Sequence, residues 1–180
     1  EGISMTGLTF LELKEKERAM RAGYPETMGL RVHRAISWVG RAQKEKDDPD
    51  AAFLFFWIAF NAAYADEQEV EAPLGERSQF GELLRRIVRL DEKGRLHAAV
   101  WNRFQGPVRK LLENRYVFRP FWLNQNGVSG NEDWHRKFIA SADAERRSMM
   151  DQDTARVLHH IFDRLYVLRC QLMHGGTTWG

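Results

Sequence analysis

At 180 residues the chain is long enough for one domain with a sizeable core and too short for two comfortable ones. Its 43% hydrophobic and 29% charged residues are ordinary for a soluble globular protein and argue against disorder as a general reading. The formal net charge is only +2, so no overall field attracts nucleic acid and any such surface must come from local clustering.

Six tryptophans and eleven phenylalanines call for a well-filled core or a partner interface. One cysteine, Cys170, cannot staple a fold, and no CxxC or Cys/His pairing suggests structural zinc. A reducing cytoplasm is the expected compartment. The longest apolar run, 51–65, is interrupted by Asn61 and is too short to span a bilayer, so no membrane partner is expected. The first residues have neither a basic n-region nor an apolar h-region, so no signal peptide is expected. Residues 1–180 read as a single domain, with Glu1–Ser4 as an expression remnant ahead of Met5.

Over 8–22, charged residues with sparse apolar positions (Leu8, Leu11) predict a short peripheral helix, broken by Gly23, Tyr24 and Pro25. From about 27 to 46, Leu30, His33, Ile36, Trp38 and Val39 recur roughly three and four apart, the helical period. In "KEKDDPD", Asp48 is placed to cap the next helix and Pro49 to occupy its first position. That helix, "PDAAFLFFWIAFNAAYAD", is apolar on nearly every side and is expected to be buried all round, centrally or between protomers.

Residues 69–78 read as a loop. A helix over 78–91 places Phe80, Leu83, Leu84, Ile87 and Leu90 on one face, with Arg85, Arg86 and Arg89 beside it. The next, over 93–113, is expected to kink or divide at Pro107. Between 114 and 133, Gly, Asn and Pro punctuate aromatic residues, which fits an ordered, packed excursion. Helices over 134–150 and 153–174 follow. Asp153 is the expected N-cap of the last, and Leu158, Ile161, Leu165, Leu168 and Leu172 its packing seam. No segment alternates as a strand and no repeat is visible. The chain reads as all-α, a bundle of about six helices with long packed loops.

The last helix ends "LRCQLMHGG". At about 100° per residue, Arg169 and His174 lie about 140° apart around an ideal axis. They converge only in a distorted terminal turn, or by reaching into a wide groove beside the helix. Gly175 and Gly176 supply the distortion, since glycine readily takes the left-handed conformation that ends helices. The plainer alternative is a cation near a helix C-terminus, favoured by roughly 0.3–1 kcal/mol, with a glycine cap.

Arg-x4-His at this position, with "FWIAFNAAYA" at 56–65 and "LRCQLMHGGTTW" at 168–179, resembles the HEPN superfamily (higher eukaryotes and prokaryotes nucleotide-binding), in a bacterial branch. The resemblance covers the order of the helices over most of the chain. It implies a helical bundle that homodimerises, with the motifs of two protomers facing one cleft. Many members are metal-independent ribonucleases, often toxins paired with an antitoxin protein or defence effectors; others bind nucleotides without catalysis. His174 would then act as general base or acid at a ribose 2′-hydroxyl, and Arg169 would neutralise phosphate charge. The residue types suit those roles, since histidine titrates near neutrality and guanidinium offers a bidentate fork to phosphate. No cofactor or metal is implied. Active members commonly carry a polar residue directly after the arginine; here it is Cys170, which removes a hydrogen-bonding side chain from the site.

The other candidates keep two readings each. Cys170 is an ordinary buried thiol or part of the site. Asn61 makes a structural hydrogen bond to a neighbouring helix, or stands near the Arg169/His174 cleft. Arg85 and Arg89 share a helix face, either as a solvated surface or as a track for RNA phosphates, diluted by Glu82, Asp91 and Glu92. His159 and His160 are adjacent, point apart and do not suggest a metal site. For the whole chain, the rival to an endoribonuclease is a non-catalytic module of the same architecture, binding a nucleotide, RNA or a protein.

Overall fold

The computed structural model describes residues 8–64 and 76–179. Among the described residues there are nine α-helices and no strand, so the all-α reading holds. No described helix is long and apolar enough to cross a membrane. The chain divides into two compact units, residues up to Pro73 with Thr177–Gly180, and Leu74–Gly176. Glu1–Ser4 and most of the loop expected over 69–78 fall outside the described residues, while 76–78 already belong to a helix.

In the first unit, α1 (Phe10–Met20), α2 (Glu26–Ala42) and α3 (Pro49–Tyr64) follow in order. The helix expected over 8–22 begins at a capping box. Thr9 Oγ1 accepts from the Glu12 N–H at 3.3 Å, and the Glu12 carboxylate accepts from the Thr9 N–H at 2.7 Å. The Phe10 N–H is anchored on Gln43 Oε1 at 2.8 Å, and Glu17, buried, pairs with Arg21 at 2.9 Å. Asp48 caps α3 as expected, its Oδ1 accepting from the Ala51 N–H at 2.9 Å, with Pro49 first in the helix. Its other oxygen accepts from the Trp179 indole N–H at 3.1 Å. Trp38 of α2 stacks on Phe55 of α3 at 5.8 Å between centroids, and Arg41 lies 4.7 Å from the same ring. Of α3, only Trp57 and Ala59 are fully buried, and Ile58 is exposed. Among the described residues burial on every side is therefore not reached, because α3 has α2 as its main neighbour in the unit.

The second unit holds α4 (Glu76–Leu90), α5 (Arg95–Ala98), α6 (Gln105–Leu112), α7 (Arg119–Gln125), α8 (Trp134–Met150) and α9 (Thr154–Met173). The helix expected over 93–113 does divide, but at Phe104 and not at Pro107. After α5 one π turn, Ala99–Arg103, ends at Phe104 with φ −114° and ψ 15°. Pro107 is the third residue of α6, where a backbone N–H has no intrahelical acceptor to lose. The aromatic excursion is ordered and contains a 3₁₀ turn, Arg115–Val117, and α7, whose Phe121 packs edge-on against Trp122 and Trp134 at 5.3 and 5.0 Å. These two differences raise the helix count above six.

Asp153 caps α9, accepting from the Arg156 N–H at 3.1 Å. The buried stripe of α9 is Thr154, Val157, Leu158, Ile161, Arg164 and Val167, whereas Leu165, Leu168 and Leu172 are only half-buried. The seam is rotated from the leucine row because Arg164 takes a core position.

The α1–α2 contact gives a direct test. A methyl carbon at Gly40 would lie 2.5 Å from the Phe10 ring, while nothing lies within 4 Å of one at Gly29 in the same helix. Gly40→Ala should destabilise the protein by about 1–3 kcal/mol through overpacking. Gly29→Ala should stabilise it by up to about 1 kcal/mol through helix propensity. Urea unfolding that ranks the two variants the other way would contradict the α1–α2 packing.

Candidate functional site

The C-terminus of α9 is closed by a left-handed glycine. His174 is the C-cap residue, its N–H bonded to the Cys170 carbonyl at 3.0 Å. Gly175 has φ +69°, and the Gly176 N–H reaches back to the Gln171 carbonyl at 2.7 Å, the long bond of a Schellman turn. This turn carries His174 off the regular helical path and leaves its side chain exposed.

His174 lines an open groove of about 260 Å³ between α7 and α9, together with Cys170, Tyr166, Val167, Gln171 and Gly176 from the α9 side. Arg119, Trp122, Leu123 and Asn126 form the opposite wall. The Trp122 indole N–H donates to the Tyr116 carbonyl at 2.6 Å, and Gln171 Nε2 donates to the same carbonyl at 2.8 Å, which ties the two walls to one backbone oxygen.

Arg169 does not line this groove, but its guanidinium turns toward two residues that do. Its Nη1 lies 3.8 Å from Cys170 Sγ, and its Cζ lies 6.0 Å from the Tyr166 ring centroid. Cys170 is half-buried and lines the groove, so it is neither a core thiol nor remote from the site.

The remaining candidates stand elsewhere. Asn61 belongs to the first unit, where its Oδ1 accepts from the Tyr64 hydroxyl of its own helix at 3.2 Å. Arg85 and Arg89 do share one face, and both meet Glu82, at 2.8 and 3.6 Å. Arg85 holds the Glu82 carboxyl below its ordinary range through that hydrogen bond. Neither arginine lines the groove. Among the described residues no three His, Cys, Asp or Glu side chains gather as a metal-ligating group.

No protein-family model, curated protein or solved structure matches this chain.

A second polar cluster lies beside the groove and shares Arg119 and Leu123 with it. In a pocket of about 210 Å³, Ser141 and Glu145 of α8 face His160, Asp163 and Arg164 of α9. Arg164 Nη2 donates to Glu145 at 2.7 Å with both side chains about 95% buried, and the Ser141 hydroxyl donates to the same carboxylate at 2.8 Å. The guanidinium also lies 4.5 Å from the Phe118 ring centroid and 5.5 Å from that of Phe138. Burial pushes the Glu145 carboxyl above its ordinary range despite Arg164 beside it. Burial, helped by the neighbouring His159, pulls the His160 imidazole below its ordinary value. None of these residues stands out in the sequence as a site; the one signal is an arginine three residues after Ile161, in register with the apolar stripe.

Two outcomes follow from this cluster. Arg164→Met should cost about 3–5 kcal/mol in urea unfolding by stranding the Glu145 carboxylate, and adding Glu145→Leu should recover much of it. Equal instability of the single and double variants would show that packing, not charge, decides. His160 has a depressed pKa, so the native state holds fewer protons than the unfolded one and stability is lost as pH falls from about 6.5 through the folded value. The stability difference between wild type and His160→Gln should shift against wild type over that window; a difference independent of pH would refute the assignment.

Proposed function

We propose that this chain is a HEPN-like endoribonuclease domain that cuts RNA without a metal, through His174 and Arg169. The observation that carries the reading is the shared rim. His174 is exposed at the mouth of an open groove, and Arg169 directs its guanidinium to Cys170 and Tyr166 of the same groove. Arg169 has no carboxylate partner among the described residues, so its charge is available to a phosphate.

In this scheme the imidazole of His174 removes the proton of a ribose 2′-hydroxyl. The 2′-oxygen attacks the adjacent phosphorus, the bond from phosphorus to the 5′-oxygen breaks, and the products are a 2′,3′-cyclic phosphate and a 5′-hydroxyl. The departing oxygen takes a proton from water or from the His174 of a second protomer. Arg169 offsets the charge that grows on the phosphoryl oxygens in the transition state. A homodimer that brings two such grooves together belongs to the proposal, and the half-exposed apolar α3 supports it by offering surface that is not fully buried among the described residues. A toxin-like role with an antitoxin protein and a cytoplasmic location belong to the same reading.

The other reading, a nucleotide-, RNA- or protein-binding module without catalysis, is favoured by one observation. Cys170 lines the groove where a hydrogen-bonding side chain would assist the chemistry.

His174→Ala should lower cleavage of single-stranded RNA by roughly 10²–10⁴-fold, the worth of a placed proton-transfer group. Its melting temperature should stay near that of wild type, since the side chain is exposed. Cleavage by wild type should persist in EDTA. Equal background cleavage by wild type and His174→Ala would leave the binding module as the function.

A further inference from the structure

We infer that the α7–α9 groove is a nucleotide subsite for single-stranded RNA, with Arg119 taking a backbone phosphate and the amides of Asn126 and Gln171 reading a base. This deepens the ribonuclease reading, on which it rests for the placement of His174, but it concerns binding and is tested by binding.

Three observations converge. The walls combine flat and aliphatic surface, Trp122, Tyr166, Leu123 and Val167, with a few polar groups, the composition of a site for a planar apolar-faced ligand. Bases of single-stranded RNA are held in this way, stacked on aromatic rings and hydrogen-bonded along their edges. Trp122 is fixed in place by its bond to the Tyr116 carbonyl, so the wall is preorganised.

The polar groups that face the groove are also unspent. Among the described residues Arg119 and Asn126 have no side-chain hydrogen bond or ion pair, and Gln171 uses only its Nε2, leaving Oε1 open. An amide presents both a donor and an acceptor, which is what a base edge needs for recognition.

The permanent charge also has one sign. Arg119 lines the groove, the Arg169 guanidinium lies against its lining residue Cys170, and no acidic side chain lines it. From Tyr166 to His174 the groove follows about 12 Å of helix, with the histidine at one end. A planar, anionic ligand that must present a hydroxyl to His174 is a ribonucleotide within a strand.

The test measures binding of fluorescein-labelled 2′-fluoro RNA hexamers, one for each base, by anisotropy over a series of KCl concentrations. These strands have no 2′-hydroxyl and cannot be cut. The full chain should bind at least one of them saturably. Arg119→Ala should weaken binding about tenfold for every base and reduce the log–log salt slope by about 0.7, the signature of one lost phosphate contact on a single strand. Asn126→Ala should change the order of preference among the four bases and leave the salt slope alone. Both residues are exposed, and unchanged circular dichroism melting would show that the variants fold. Absence of saturable binding, or binding unaltered in both variants, overturns the subsite; if wild type still cuts RNA, the ribonuclease reading survives that result. Binding that responds to Arg119 in a protein that cuts no RNA establishes the subsite and removes the ribonuclease.

Discussion

The buried pair of Arg164 and Glu145 is the constraint on which the C-terminal unit depends. A charge moved into the protein interior forfeits its hydration, and only close partners offset the loss. Arg164 finds them on three sides: the Glu145 carboxylate and Ser141 hydroxyl of α8, the Phe138 ring, and the Phe118 ring that precedes α7. Any rotation of α9 or slide of α8 would break several of these at once. Because Phe118 is among them, the same pair sets where α7 starts, and α7 is one wall of the groove that holds His174. The geometry of the candidate site is thus set by a charge about 15 Å away along α9, ten residues at 1.5 Å each.

Local chemistry was readable in the sequence wherever a feature depends on near neighbours. The caps at Asp48 and Asp153, the break at residues 23–25, the full span of α8 and the glycine after His174 all follow from side chains within a few residues. Features set by distant packing were not. The leucine row of α9 suggested a seam, but Arg164 displaced it, because an arginine counts as polar until its partners on α8 and near α7 are known. Pro107 drew the expected break to itself, though a proline near a helix start is harmless and the interruption fell at Phe104. The aromatic excursion hid α7, whose seven residues carry too little periodicity to declare a helix.

The candidate pair shows the same division. Helical geometry alone places Arg169 and His174 apart, and only His174 lines the groove; Arg169 meets it indirectly, through the Cys170 and Tyr166 side chains beside its guanidinium. The opposite wall was out of reach, since Arg119, Trp122 and Asn126 lie about fifty residues away in sequence and form no motif with the α9 residues. Cys170 occupies an unexpected middle ground. It stands beside the arginine in sequence, lines the groove, and has its sulfur 3.8 Å from the Arg169 Nη1, so the environment of the guanidinium is softer and less hydrogen-bonding than an amide or carboxylate would make it.

Asp48 divides its two carboxylate oxygens between partners that the chain produces at very different times. One oxygen closes the first turn of α3 on Ala51, and the other waits for the indole of Trp179, 131 residues later. The start of α3 is therefore capped from within its own first turn. The second bond is made by a segment that belongs to the same unit but follows the whole of the other unit in sequence, so this unit is closed on itself by residues from both sides of its neighbour in the chain.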